Sequence, residues 1–196
     1  MVMGRPREFD VERVLESALH VFWTKGYEGA TMADLSAATN LKAGSIYAAF
    51  GSKSGLFKQV VDHYSTTIFG YGTAALEADT AREVVRRWLL GAADATTGPD
   101  TPPGCLLVHG ALATGDTAAE AKADLCARRH TAEATLTQRF TRARDSGDLP
   151  PTVDPRDAAA YVITLSQGLA VQAASGASRT DLRRLAELAL RKLPWE

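Results

Sequence analysis

The sequence lacks any uninterrupted apolar run that approaches the roughly 18 residues of a membrane span, and residues 1–10 lack the apolar stretch of a signal peptide. It has only two cysteines in 196 residues, which indicates reduced thiols rather than a disulfide framework. Neither sign of charge is in excess, because 22 Lys and Arg face 23 Asp and Glu and leave a net charge of −1. We therefore expect a cytoplasmic protein, in which any attraction to nucleic acid comes from a local patch.

Proline is confined to a few places and leaves three long blocks in which helices can run without interruption. The eight prolines are Pro6, Pro99, Pro102, Pro103, Pro150, Pro151, Pro155 and Pro194. Period-two alternation of β-branched residues and internal repeats are absent as well. These absences predict an all-α fold of about nine helices, with an N-terminal head at residues 7–67 and a C-terminal body at residues 68–196.

Capping residues and apolar spacing predict where the helices lie. Thr31 and Asp34 form a capping-box pattern, Gly26 is expected to end the first helix, and Asn40 tolerates the left-handed conformation of a sharp turn. The predicted helices span about 10–26, 31–39, 43–50, 52–78, 80–96, 104–114, 117–146, 155–175 and 178–193. The first three have the arrangement of a helix-turn-helix head, whose last helix enters the major groove of DNA.

The third helix has one apolar and one small, polar face. At about 100° per residue, the residues that point to the core are Ile46, Ala49 and Phe50, and those that point outward or to the flanks are Gly44, Ala48, Ser45 and Tyr47. Small side chains let a helix backbone approach base edges closely, while a serine hydroxyl can bond a base and a tyrosine can reach a phosphate. The outward face is therefore suited to DNA.

A local positive patch accompanies this helix, because the stretch from Leu35 to Val61 contains Lys42, Lys53 and Lys58 and no acidic residue. Lys42 stands where a helix start favours Ser or Asp, and a cation there opposes the helix dipole by about 0.3–1 kcal/mol. A bound phosphate removes this conflict, since anions bind at helix N-termini. The patch therefore predicts a phosphate site at the start of the third helix.

Three further residues are candidates for backbone contacts. Thr31 begins the second helix and can donate to a phosphate, while Arg5 and Arg7 lie in an N-terminal arm that can reach the backbone or a minor groove. The alternative is that the lysines form an ordinary solvated surface and that Tyr47 covers the core.

Taken in order, these residues resemble the DNA-binding head of the tetracycline-repressor (TetR/AcrR-like) regulators. The resemblance rests on Thr31-Met32-Ala33-Asp34-Leu35, Lys42-Ala43-Gly44-Ser45-Ile46-Tyr47, Phe50 and Lys53, within a segment of about a third of the chain. A later run resembles the dimerising end of the same family and comprises Gly147-Asp148-Leu149, Asp154-Pro155, Gln167-Gly168-Leu169-Ala170 and Gly176.

The resemblance implies a homodimer whose heads bind a palindromic operator in double-stranded DNA and whose body binds a small-molecule effector that relieves repression. It implies DNA contacts by Thr31, Lys42, Ala43, Ser45, Tyr47 and Lys53. Four positions depart from the family pattern, which usually has Gly at Asn40, Ser at Lys42 and larger side chains at Ala48 and Ala49. Few side chains are left to read bases, so the operator sequence does not follow from the resemblance.

The last two predicted helices each have one apolar face. The residues concerned are Ala158, Tyr161, Val162, Leu165, Leu169 and Val171 in one, and Leu182, Leu185, Leu188, Ala189 and Leu193 in the other. If two copies pack these faces across a two-fold axis, they form a four-helix bundle, which is the usual dimer of the family. The alternative is that the faces close the core of the monomer.

Two Cys–His pairs at the same spacing form the alternative to a simple ligand-responsive regulator. Cys105 precedes His109 by four residues, and Cys126 precedes His130 by four, so each pair shares a helix face. Four such groups can make a zinc site, and a thiol can respond to oxidants or electrophiles. A plain core role for the cysteines is favoured over both.

A small-molecule pocket is expected among the middle helices, lined by candidates that are equally suited to a plain core: Phe69, Tyr71, Trp88, Cys105, His109, Tyr161 and Gln167.

Catalysis is not indicated. The run from Gly51 to Gly55 resembles a phosphate loop or a nucleophile elbow, but Ser52 replaces the glycine of the first motif and Lys53 the serine of the second. We predict no enzyme activity and no cofactor. A helical adaptor without DNA binding is the third class, and the acid-free lysine patch argues against it.

Overall fold

The computed structural model describes residues 9–112 and 118–195, and within these ranges it contains helices and no strand. The helices are α1 (Val11–Gly29), α2 (Met32–Thr39), α3 (Ala43–Phe50), α4 (Lys53–Thr67), α5 (Gly70–Leu76), α6 (Ala81–Ala95), α7 (Leu106–Leu112), α8 (Ala119–Asp145), α9 (Pro155–Ala174) and α10 (Arg179–Leu190). The predicted all-α fold is confirmed. In these ranges no helix combines the length and the apolarity that crossing a bilayer requires.

The head comprises α1–α4, and the predicted capping residues set its boundaries. The Thr31 side chain accepts from the Asp34 amide while the Asp34 side chain accepts from the Thr31 amide, which confirms the capping box. Asn40 has φ 55° and makes the left-handed turn between α2 and α3. Gly26 has φ 70° and a non-helical conformation, so it interrupts α1 one turn before the helix ends.

One predicted boundary is wrong, because the helix expected to continue to Ala78 breaks after Thr67. The Phe69 amide reaches back to the Tyr64 carbonyl at 3.0 Å, a five-residue step that closes α4. Gly70 then begins α5, and the Phe69 ring packs edge-on against Trp88 with a centroid distance of 5.8 Å. The aromatic contact with α6 determines the break and accounts for ten helices in the described ranges instead of nine.

The body is a bundle in which α8 packs on α9 and α6 packs on α5, α9 and α10. Its core is closed by large side chains that are fully buried, among them Trp88, Leu89, Leu136, Phe140 and Leu182. The core of the head continues into the body, where it includes Cys105, Leu106 and Leu125. Head and body are therefore packed against each other through apolar side chains.

A buried arginine fixes the loop between α5 and α6. The Arg139 guanidinium donates to the carbonyls of Leu76 at 3.2 Å, Ala78 at 2.7 Å and Asp79 at 3.1 Å. We expect Arg139→Met to lower the free energy of unfolding by about 2–4 kcal/mol, because one buried and two partly buried carbonyls lose their donor. Urea denaturation followed by circular dichroism measures this loss.

The matched control is Arg142→Met on the exposed side of the same helix, which should change the free energy of unfolding by less than about 0.5 kcal/mol. Equal stability of the two variants would show that Arg139 does not hold this loop.

Candidate nucleic-acid interface and ligand cavity

The N-terminus of α3 is open on the surface of the head. Lys42 is the N-cap, and its side chain makes no capping hydrogen bond. The first amide with a partner is that of Ser45, which donates to the Lys42 carbonyl at 2.8 Å; within the described ranges the amides of Ala43 and Gly44 have none. Two free amides and an ammonium group thus point outward at the same place, which is the arrangement that binds a phosphate.

The faces of α3 are divided as the periodicity predicts. Ile46 and Phe50 are buried and Ala49 is half-buried, while the exposed residues are Gly44, Ser45, Tyr47 and Ala48. Tyr47 exposes 47% of its surface, so it does not cover the core as the alternative interpretation required. The exposed face is small except for this one ring.

The start of α2 is tied to α1 by a short ion pair. The Thr31 hydroxyl donates to Asp34 Oδ2 at 2.7 Å, and Lys25 Nζ lies 2.6 Å from Asp34 Oδ1. The hydroxyl proton of Thr31 is therefore directed to Asp34, so any phosphate at this site meets the free amides of the first turn of α2 instead.

The Asp34 carboxylate makes the head sensitive to acid. Hydrogen bonds from Lys25 and from Thr31 hold the pKa of Asp34 well below its usual range. The stabilisation is therefore present above the unfolded-state pKa of about 3.9 and is lost as the pH falls from there towards the lower folded-state value. We expect Asp34→Asn to lower the melting temperature by about 2–4 °C at pH 7 and by clearly less at about pH 2.

Thermal unfolding followed by circular dichroism at both pH values tests this expectation, with Glu16→Gln on the exposed face of α1 as the control. A difference between wild type and Asp34→Asn that does not narrow at low pH would contradict the role given to the ion pair.

The lysines of the patch differ in exposure. Lys42 and Lys58 are exposed, whereas Lys53 is half-buried at the start of α4 and its Nζ lies 4.6 Å from the centre of the Tyr27 ring. Burial lowers the pKa of Lys53. This lysine is thus held in one place by a cation–π contact. Arg5 and Arg7 lie outside the described residues.

The body contains a small cavity of about 30 Å³ between α5, α7, α8 and α9, which has room for one or two water molecules. Four predicted candidates line it: Phe69, Tyr71, Cys105 and Gln167. Its other walls are Thr96, Leu107, Val108, Arg129, Ala132, Ile163, Ser166 and Ala170. A cleft of about 410 Å³ adjoins the cavity and shares Phe69, Leu107 and Ala132 with it.

The other three predicted candidates lie elsewhere. Trp88 lines the adjoining cleft, and Tyr161 packs against Trp195 with ring centroids 6.0 Å apart. The His109 ring folds back over the start of α7, where its Nδ1 accepts from the Cys105 amide at 3.3 Å. A Cβ on Gly104 would collide with this ring, and Gly104 has φ 98°, so only glycine suits that position.

Two polar contacts connect the head to the body, one at the wall of the cavity and one at the wall of the adjoining cleft. The Tyr64 hydroxyl on α4 donates to Cys105 Sγ at 3.1 Å, and Arg128 on α8 lies 2.7 Å from Asp62 on α4. Burial raises the pKa of the Cys105 thiol and of the Tyr64 hydroxyl, so both are neutral. Since α4 also begins with Lys53, one helix of about 22 Å joins the cavity wall to the positive patch.

The alternative of a metal- or redox-responsive site is not favoured. His109 Nδ1 is occupied by the Cys105 amide, while Cys126 Sγ accepts from Arg129 and His130 is exposed beside a different groove. In the part of the chain that the structure describes, no three metal-ligating side chains come together. A buried thiol with a raised pKa is also a poor nucleophile.

Sequence reasoning missed the polar residues that surround the cavity and link it to the head. Arg129, Tyr64 and the Asp62–Arg128 pair were not among the candidates. Periodicity gave no signal for them, because adjacent residues 100° apart on a helix can both face solvent.

The apolar faces of α9 and α10 are divided between core and surface. Ala158, Val162, Leu169, Leu182 and Leu193 are buried within the monomer. Val171, Leu185 and Leu188 are exposed by 43%, 46% and 47%, and Leu185 and Leu188 line a shallow surface groove. We call Val171, Leu185 and Leu188 the apolar patch. Each of the two interpretations of these faces therefore accounts for some of the residues.

Comparison with known proteins gives matches along most of the chain. Residues 14–60 match the family of bacterial regulatory proteins called the tetR family, and residues 77–188 match the tetracyclin repressor-like C-terminal domain. The HTH-type transcriptional repressor ComR of Escherichia coli K12 is 32% identical over 193 residues, which are 97% of this chain and 92% of ComR.

Solved structures match over similar lengths. A cysteine mutant of the TetR family transcriptional regulator CifR, complexed with 26-bp double-strand operator DNA, has a TM-score of 0.91 at 37% identity, covering 97% of this chain and 100% of that chain. A TetR transcriptional regulator from Chloroflexus aurantiacus, at 22% identity and a TM-score of 0.82, covers 94% of both chains and shares the fold.

Proposed function

Because this chain belongs to the TetR family of bacterial regulatory proteins and is a DNA-binding transcriptional regulator, we propose that it represses transcription as a homodimer on a palindromic operator, from which a small-molecule effector releases it. Its relatives are transcriptional regulators, and we propose no catalytic activity and an action in the cytoplasm. We place the boundary between head and body after residue 67, where α4 ends.

The observation that carries this proposal is the open N-terminus of α3. Free amides, the Lys42 ammonium and a small exposed face occupy one side of a short helix, and nothing in the monomer's own packing requires them there. The residues proposed to contact DNA are Arg5, Arg7, Thr31, Lys42, Ala43, Ser45, Tyr47 and Lys53. Of these, Ser45 reads bases and Ala43 lets the backbone approach, while Arg5, Arg7, Lys42, Tyr47 and Lys53 contact the phosphate backbone. Thr31 acts through its cap, which holds the free first-turn amides of α2 towards a phosphate.

The proposed dimer interface is the apolar patch on α9 and α10. Exposed Val and Leu side chains grouped on two helices mark an interaction surface. Two heads are also what recognition needs, because a single α3 contacts few base pairs, whereas two heads on half-sites one helical turn apart multiply specificity.

The proposed effector site is the cavity together with the adjoining cleft. A ligand larger than one or two waters must displace Phe69 or Leu107 and so join the two spaces. Displacement of α7 moves Cys105, to which Tyr64 of α4 is bonded. An effector that prefers the displaced state by about 1–3 kcal/mol would weaken operator binding about 5- to 150-fold.

The salt dependence of DNA binding tests the proposed interface. Fluorescence anisotropy with labelled duplex from upstream of the protein's own gene gives the association constant between about 50 and 200 mM salt. If the dimer contacts about six to ten phosphates, the logarithm of the association constant falls linearly with the logarithm of the salt concentration, with a slope of about −5 to −9. An association constant that does not change with salt would contradict the proposal. Equal binding to the upstream duplex and to a duplex of random sequence at all salt concentrations would contradict it as well.

A further inference from the structure

The cavity contains an arginine that forms no ion pair with a carboxylate in the part of the chain that the structure describes. Arg129 lines the cavity, and its Nε is buried and has no hydrogen-bond partner among the described residues. Its other contact is with a thiol, since Nη2 donates to Cys126 Sγ at 3.2 Å. Sulfur is a weak acceptor and does not neutralise a guanidinium. The buried Nε is therefore a donor that lacks an acceptor, and an oxygen of a bound ligand would satisfy it.

The other arginines that pack within the body are satisfied. Arg128 contacts Asp62 and Asp124, Arg183 contacts Asp94, and Arg139 bonds three carbonyls. No carboxylate of the described residues lies within ion-pair distance of Arg129. Burial raises the pKa of the Cys105 thiol, so this neighbour carries no negative charge either. Arg129 differs from these three arginines because its Nε has no acceptor among the described residues.

Two neutral polar groups face the same space. The Tyr71 hydroxyl and the Gln167 amide line the cavity, and neither has a hydrogen-bond partner among the described residues. Burial raises the pKa of Tyr71, so the hydroxyl keeps its proton and can donate. Together with Arg129 Nε, they give the cavity three potential donors, whereas the surrounding Leu107, Val108, Ile163 and Ala170 offer only apolar contact.

We propose that the effector is a small organic anion, with a carboxylate bound by Arg129 and donors from Tyr71 and Gln167, and with an apolar body against Leu107 and Ile163. This inference rests on the proposed function, because it names the chemical class of that effector. The apolar body extends through the position of Phe69 into the adjoining cleft, where there is room for it.

Calorimetric titration of the purified protein with matched acids and amides tests the inference. The probes are benzoate, phenylacetate, hexanoate and octanoate, each paired with its uncharged amide. At least one acid should bind about tenfold more tightly than its amide or better, because a charge-assisted bond replaces a neutral one. In Arg129→Gln this preference should disappear, with acid and amide binding alike, while Arg129→Lys should retain part of it.

The matched control is Arg142→Gln, on an exposed face of the same helix, in which the preference for the acid should stay at its wild-type value. The inference is overturned if no acid binds, if an amide binds as tightly as its acid in the wild type, or if Arg129→Gln keeps the preference. Residual amide binding by Arg129→Gln shows that the variant is folded and its cavity intact.

Anisotropy of labelled operator in the same samples separates this inference from the proposed function. Acids that bind with the expected preference but leave the operator bound would support the anion site and contradict release by the effector. Release by an amide alone would support the proposed function and contradict the anion site. If the protein binds no DNA, the proposed function is contradicted. The difference in affinity between acid and amide, measured by calorimetry, still tests the anion site in that case.

Discussion

Replacing Lys42 with Glu will reduce operator affinity by at least about 100-fold while leaving the fold and the dimer intact. The expected cause is local: the substitution removes the ammonium beside the free amides of Ala43 and Gly44, and it places a carboxylate where a phosphate binds. Each dimer has two such positions, so both heads contribute to the loss of binding free energy. Anisotropy with labelled operator gives the affinity, and circular dichroism and sedimentation give helicity and mass.

Lys122→Glu is the matched control, because it makes the same charge change at an exposed position of α8 and should change affinity less than about threefold at 150 mM salt. Tyr47→Ala is the second variant at the interface and should weaken binding without affecting the fold, since its ring is exposed. If Lys42→Glu loses helicity or no longer dimerises, the role of Lys42 is structural instead. If its operator affinity is unchanged, α3 is not part of the DNA interface.

The double substitution of Leu185 and Leu188 by Glu will convert the dimer to a folded monomer. Both leucines are about half exposed on the monomer, so the change leaves the monomer core intact. In a dimer built on the apolar patch they are buried, and burial of a leucine contributes about 1.5–3 kcal/mol. With four such positions per dimer, the dissociation constant should rise at least about 1,000-fold. Analytical ultracentrifugation at micromolar concentration measures it.

The control for added charge is Thr180→Glu, at an exposed position on another face of α10, which should remain dimeric. The monomeric variant should also lose specific operator binding, because one head retains only the weak affinity of a single half-site. A double variant that stays dimeric would show that the two copies associate through another surface.

The head was predictable because its signals are local in the sequence. The Thr31–Asp34 capping box, the left-handed Asn40 and the alternation of faces on α3 each depend on residues a few positions apart. Lys42 was recognisable as an anomaly because it breaks the capping preference at a helix start. Such rules need no knowledge of the rest of the molecule, and the structure agrees with them.

The body was predictable only in outline, because its details depend on contacts between distant segments. The break between α4 and α5 follows from packing of Phe69 on Trp88, which lies on α6. Gly70 was the one local feature of the sequence that indicated this break. Likewise, neither Arg128 nor Arg129 could be assigned to the interior from periodicity alone. Arg128 pairs with Asp62 on α4, and Arg129 lines a cavity whose other walls are formed largely by other helices.

The candidate ligand residues illustrate the same limit. Phe69, Tyr71, Cys105 and Gln167 meet at the cavity, whereas His109 folds back on its own helix and Tyr161 packs on Trp195. All of these were polar or aromatic residues in the middle of the chain. Which of them converge is decided by the angles at which α5, α7 and α9 cross, and a single sequence does not contain those angles in readable form.

In the proposed complex, the two α3 helices of one dimer lie in successive major grooves of the same duplex. Selection of bound sequences from a pool of random duplexes, followed by sequencing, tests it most directly. We expect enrichment of two inverted half-sites whose centres lie about one helical turn, or about 10 base pairs, apart or at a multiple of that spacing. Recovery of no enriched sequence, or of a single half-site without a two-fold partner, would contradict it.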